Sequence, residues 1–186
     1  MKNKAFDIFI RLKGYFFNPD KMWRNIDEKE RTNSFVKMVL PLFPAVILSM
    51  IVGQVIFAEF DFEKLTVGVL LMLLSYVLGF PLSKFLFTAF FRRFFSDIPL
   101  SENKTDVLVA YAYSLLLMVD VVAAVLHDED LICRMFYVIV AYLLWRAAPN
   151  LGVEKNGMVK YLAIVVPFVV FVPYFLQRMM GWIILR

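Results

Sequence analysis

One cysteine, Cys133, excludes an intrachain disulfide and a cysteine-based metal cluster. One histidine, His127, leaves no basis for His-rich zinc or haem ligation. Charge is also scarce, with Asp, Glu, Lys and Arg at 19% of the residues. No P-loop, GxSxG, HExxH or GxGxxG occurs, so the common phosphate, hydrolase, zinc-protease and dinucleotide signatures are missing. There is no GxxxG helix-pairing motif either. Nor do the apolar runs alternate in polarity as the strands of a membrane β-barrel would.

What fills the chain instead is apolar bulk. Hydrophobic residues reach 61% and mean hydropathy is +0.72. Phe alone takes 20 positions. Soluble domains run near half apolar, so this surplus cannot be buried in a water-soluble core. The reading is one all-α integral membrane domain, a size that 186 residues allow. A bilayer core of about 30 Å needs about 20 apolar residues in a helix. Five stretches qualify, at about 35–58, 65–87, 107–126, 131–148 and 161–180. The chain thus divides into a cytoplasmic arm, 1–34, and a five-helix membrane domain, 35–186. Asp7, Arg11 and Lys13 interrupt the first apolar run, which is therefore expected to be no signal peptide. The first span then serves as the insertion signal.

Basic residues set the orientation. Lys2, Lys4, Arg11, Lys13, Lys21, Arg24, Lys29, Arg31 and Lys37 precede or open the first span. Lys84, Arg92, Arg93 and Lys104 flank the second connection, and Arg146, Lys155 and Lys160 the fourth. Only Lys64, Arg134, Arg178 and Arg186 fall on the other side. The expected topology is a cell (inner) membrane protein with its N-terminus cytoplasmic and its C-terminus outside. The two outer loops, "EFDFEK" and "HDED", are short and acidic.

Few polar residues lie within the spans. Asp120 is the one acidic residue well inside, six residues before Leu126 and so about 9 Å from the outer end. An intramembrane carboxylate points to an ion or proton relay. At that depth it can also reach outer water or pair with Arg134, near the outer start of the fourth span, and the structural pair is the reading preferred here over a relay. The "HDED" turn, His127–Asp130, reads as a solvated acidic hairpin, because consecutive residues seldom converge on one metal. No metal and no cofactor are therefore expected. Ser49, Gln54, Gln177 and Arg178 are isolated, with hydrogen bonds between helices as the expectation. Pro41, Pro44, Pro81, Pro167 and Pro173 predict kinks. Lys84 falls at the inner interface, where it can snorkel. The following "FLFTAFFRRFF", Phe85–Phe95, reads as an aromatic, basic piece lying along the inner surface, with Arg92 and Arg93 at the headgroups.

The arm has its own pattern. In "KAFDIFIRLKGYFF" the apolar positions include Phe6, Phe9 and Phe16, with Lys4, Asp7 and Arg11 opposite. That describes an amphipathic interfacial helix suited to an anionic leaflet. Asn18-Pro19-Asp20 stops it and caps a second helix. Trp23 then sits one turn in, at the membrane interface.

These pieces resemble the Yip1-domain family. They are "NPDKMWRNI" before the first span, "LPLFPAVI" opening it, "AFFRRFF" followed by "VLVAYAYSLLL", and "VAYLLWRAAPNLGVEKNGMVKYLAIVV" over the fourth and fifth spans. The chain departs from the family pattern at Leu116–Met118, where a proline is common, and at Ala147 and Ala148, where a glycine is. The resemblance implies a five-span membrane protein with a cytoplasmic N-terminal region. Short loops suit a prokaryotic member, so the trafficking role of eukaryotic members with small GTPases is not carried over. The leading expectation is a non-enzymatic protein that scaffolds partners or shapes the membrane, with the bilayer, other membrane proteins or a second copy as partners. The alternative is a small transporter or channel with a polar site near Asp120. A lipid-acting enzyme is a weaker third, and nucleic-acid binding is not expected, because the basic residues serve topology.

Overall fold

The computed structural model describes residues 34–57, 60–126 and 129–184, the side chains of 126–134 excepted. The arm, including Phe6, Phe9, Phe16 and Trp23, lies outside the described residues. So do His127 and Asp128 of the acidic turn. Five helical segments follow one another: α1 (Phe35–Phe57), α2 (Phe62–Phe94), α3 (Glu102–Leu126), α4 (Glu129–Ala147) and α5 (Lys155–Ile184). Among the described residues there is no strand. Segments α1, α2, α3 and α5 are long and apolar enough to cross a membrane, and the α4 region contributes a shorter apolar helix, Met135–Leu151. This is the architecture of a multi-pass membrane protein.

Proline accounts for the irregular turns. Pro41 has no N–H and its ring crowds the preceding turn. The chain loosens there into a π-turn, Phe35–Val39, in which the Leu40 N–H donates to the Phe35 carbonyl. It then tightens into a 3₁₀ turn, Leu40–Leu42, in which the Phe43 N–H donates to the Leu40 carbonyl, the group that Pro44 cannot serve. The Met38 carbonyl accepts a bond from the Ser114 hydroxyl of α3 at 3.2 Å. Pro167 has the same effect in α5, where a second π-turn spans Val166–Val170. Pro81 lies inside α2 without ending it. Such π-turns are the usual form of a wide bend inside a helix.

The two faces of α2 show how the bundle is sorted. Leu70, Leu74, Val77, Leu78, Leu82 and Phe85 form an exposed, wholly apolar stripe. Met72, Tyr76, Gly79, Ser83, Phe87 and Phe91 form the buried one. The outward face is greasier than the inward face, which carries the small and hydroxylated residues. A solvated helix would reverse this; a lipid-facing helix has this arrangement. Segment α3 is the axle: Leu108 to Leu117 is buried all round.

The sequence predicts Phe85–Phe95 as a piece lying along the inner surface, and this is incorrect. The helix runs on unbroken to Phe94. Phe87 and Phe91 are fully buried, and Phe91 stacks on Phe95 with centroids 4.8 Å apart. Phe90 stacks on Phe168 of α5 at 4.3 Å. A surface-lying helix would leave one whole face of rings against the bilayer, whereas here Phe87 and Phe91 are fully buried, Phe90 and Phe95 are partly buried, and Phe85 and Phe94 remain exposed. Arg92 and Arg93 are exposed in the last turn, where the carbonyl-rich helix end favours cations. Lys84 has a partner that the sequence did not announce: its Nζ lies 2.6 Å from Asp106 Oδ1 at the start of α3. At the other end of α2, Asp61 caps the helix by accepting from the Glu63 and Lys64 N–H groups, each at 3.1 Å. The Lys64 backbone N–H foremost, with its ammonium group, holds the Asp61 carboxyl below its ordinary value of 3.8.

Candidate functional site

Helical spacing brings one set of side chains to a common space. On α3, Leu116, Asp120, Ala123 and Ala124 fall at i, i+4, i+7 and i+8. On α5, Tyr174, Gln177, Arg178, Gly181 and Trp182 follow i, i+3, i+4, i+7 and i+8. Val46 and Met50 on α1, and Met72 and Tyr76 on α2, are i, i+4 pairs. Each set lies on one face of its helix. Together with Tyr137, Val170 and Pro173 they line a cavity of about 690 Å³, within the range usual for ligand sites. Segments α1, α3 and α5 bring their C-terminal halves to it, and α2 and α4 their N-terminal halves. The cavity therefore sits toward the end of the bundle that carries the short acidic connections.

Its polar groups are ordered. The Tyr76 hydroxyl donates to Asp120 Oδ2 at 2.6 Å, a short charge-assisted bond that fixes the carboxylate. Tyr76 is buried and Asp120 partly so. At the rim, Arg178 Nε donates to the Tyr174 hydroxyl at 3.2 Å, and the guanidinium carbon is 5.6 Å from that ring's centroid. Tyr174, Arg178 and Trp182 are exposed and Asp120 lies deeper, so the mouth is on the α5 side.

An aromatic layer closes the other end. The Tyr113 ring meets Tyr76 edge-on at 5.4 Å and Phe80 at 5.7 Å. Its hydroxyl shares a 2.8 Å hydrogen bond with Ser83, in which either oxygen can donate. Phe43 packs on Tyr76, and Phe35 on Phe80. Of this layer, Tyr76 lines the cavity, whereas Tyr113, Phe80, Phe43 and Phe35 do not.

The expected residues fare differently. Asp120 is in the cavity, and the bond from Tyr76 is a partner that sequence reading missed. The Arg134 side chain lies outside the described residues, so the expected pair is not described. Arg92 and Arg93 are about 16 residues along α2 from Tyr76, roughly 24 Å away at the opposite end of the bundle. Ser49 does not bond between helices; its hydroxyl donates to the Val46 carbonyl of its own helix at 2.7 Å. Gln54 Oε1 is buried with no hydrogen bond among the described residues. Gln177 and Arg178, read as isolated, are cavity residues. The signal that would have found this wall is the aromatic and polar stripe Tyr174, Gln177, Arg178 and Trp182.

No family model, no curated protein and no solved structure matches this chain.

Proposed function

We propose that the chain is a five-span, Yip1-like protein of the cell membrane, N-terminus cytoplasmic and C-terminus outside, and that it binds a small polar or amphiphilic solute in its bundle as a carrier rather than as an enzyme. One observation carries this reading. A cavity of about 690 Å³ is lined by Asp120 within a largely apolar bundle. A carboxylate held at such a depth is costly, and its commonest use is to meet a cation or proton. The layer of packed rings at Tyr76, Tyr113 and Phe80 beside the cavity supports a carrier over a channel. Protein reconstituted into liposomes is expected to mediate proton or solute flux, and Asp120→Asn to lower it about tenfold or more, as loss of a charged hydrogen-bonding partner does. Equal flux through both proteins, measured with an internal pH dye and radiolabelled solutes, sinks the proposal.

The arm supports a second reading, membrane shaping or scaffolding. Its Phe6, Phe9 and Phe16 recur at helical spacing beside basic residues. Replacing all three by Asp is expected to weaken liposome deformation and recovery of cross-linked partners, leaving Asp120-dependent flux intact. Unchanged behaviour in both assays removes this reading.

A further inference from the structure

The register of α5 against α2 fixes the depth of the cavity mouth. A Cβ built at Gly79 of α2 lies 3.7 Å from Pro173 Cα of α5, and one built at Gly181 of α5 lies 3.7 Å from Leu71 Cδ1 of α2. The two contacts are equally far apart on both helices and run in opposite directions, so the helices are antiparallel and in step. In that register the mouth residues Tyr174, Arg178 and Trp182 stand level with Leu78, Leu74 and Leu70. All three leucines are exposed, on the apolar stripe of α2 that faces lipid. The surface of α5 agrees: Phe171, Phe175, Met179 and Ile183 are exposed beside the mouth. A mouth that met water would have polar neighbours at this level. Arg178, the charged member of the α5 stripe, directs its Nε to the Tyr174 hydroxyl at 3.2 Å and keeps its guanidinium beside that ring, as a long cationic side chain does on an apolar surface.

We propose, building on the binding reading above, that the cavity opens sideways into the bilayer and takes the acyl chain of a membrane lipid. Val46, Met50, Met72, Leu116 and Val170 supply the apolar wall for that chain. An acyl chain passes from one apolar surrounding to another, so entry costs little desolvation. A water-soluble solute would have to cross lipid to reach the same mouth. The Asp120 carboxylate accepts from the Tyr76 hydroxyl at 2.6 Å, so the protein itself supplies it with a strong hydrogen bond and the ligand need not.

An indole placed inside the cavity provides the readout. Leu116 lines the cavity from α3 and is buried from its surroundings. Full-length protein carrying Trp23→Phe, Trp145→Phe, Trp182→Phe and Leu116→Trp has a single indole, on that wall. It is reconstituted into vesicles of phosphatidylcholine with or without brominated acyl chains, and iodide is added from the water. Bromine quenches on contact, so the brominated lipid is expected to remove most of the emission. Gly181→Leu closes the mouth: a Cβ there meets only Leu71 Cδ1, so a side chain fits without moving backbone. This variant is expected to restore the emission. Met50→Trp in the same background repeats the measurement from the α1 wall should the Leu116 variant misfold. Emission untouched by brominated lipid, quenching by iodide alone, or lipid quenching that Gly181→Leu leaves unchanged overturns the proposal. If flux depends on Asp120 while lipid never reaches the indole, the sideways mouth is wrong and the carrier reading stands. If lipid enters while flux ignores Asp120, the carrier reading falls and the lipid site stands.

Discussion

Gly53→Ala is expected to destabilise the bundle by about 3 kcal/mol, at the upper end of what overpacking costs. A Cβ built at Gly53 collides with the Ala124 carbonyl oxygen of α3. That atom is backbone, so it cannot swing away; relief requires α1 to move off α3. The displacement would also open the wall of the cavity, because Ala124 is one of its lining residues. Gly68→Ala is the control. Its Cβ meets only the Met50 methyl carbon, at 3.2 Å, and that is the free end of a flexible side chain. The Gly68 variant should change stability by less than about 1 kcal/mol, aided by alanine's better helix propensity. For a chain of this size, 3 kcal/mol corresponds to a fall in thermal midpoint of about 6–12 °C. Thermal unfolding of both variants in the same detergent decides the matter, and equal midpoints would show that α1 and α3 do not approach this closely.

A second close approach gives a coupled prediction. A Cβ at Gly79 would lie 2.8 Å from the Tyr113 hydroxyl, with Leu176 Cδ1 at 3.4 Å and Pro173 Cα at 3.7 Å. Gly79→Ala should therefore cost about 2 kcal/mol. Tyr113→Phe removes the hydroxyl and breaks the bond with Ser83, for about 1 kcal/mol, Ser83 being buried. The double variant should cost less than the two together by about 1 kcal/mol or more, because deleting the hydroxyl makes room for the new methyl. Strict additivity in chemical unfolding would be the contrary result. It would mean that the layer closing the cavity is not held by this contact.

Both predictions rest on features with weak sequence signals. Gly53 and Gly79 are isolated glycines in apolar runs, and no GxxxG pattern surrounds them. Nothing nearby in the chain announces that Ala124 or Tyr113 will press against them. The same is true of Tyr76 and Asp120, 44 residues apart. Asp120 stands out because a carboxylate in an apolar run is rare, but Tyr76 looks like any interfacial tyrosine until α2 is laid beside α3. The Phe85–Phe95 stretch misled for a related reason. Phe beside Arg suits a membrane surface and a helix end equally, and only the packing of α2 in the bundle, with Phe168 of α5 against Phe90, shows that Phe87 and Phe91 are core.

Composition and run length are properties of the chain alone. They sufficed for an all-helical, multi-pass membrane protein, because transfer of an apolar residue to lipid depends on that residue and its neighbours in one helix. Pro41, Pro44 and Pro167 likewise announced irregular turns, since the missing N–H is local, whereas α2 runs through Pro81 and the helix Phe171–Ile184 through Pro173. The cavity is different in kind. Its walls come from α1 to α5, each contributing residues at helical spacing, and their convergence depends on which faces pack. Helix rotation is set by small residues, ring contacts and buried hydroxyls acting between distant segments. The tertiary structure alone therefore brought Tyr76 to Asp120, and placed Tyr174, Arg178 and Trp182 around the opening of the same space.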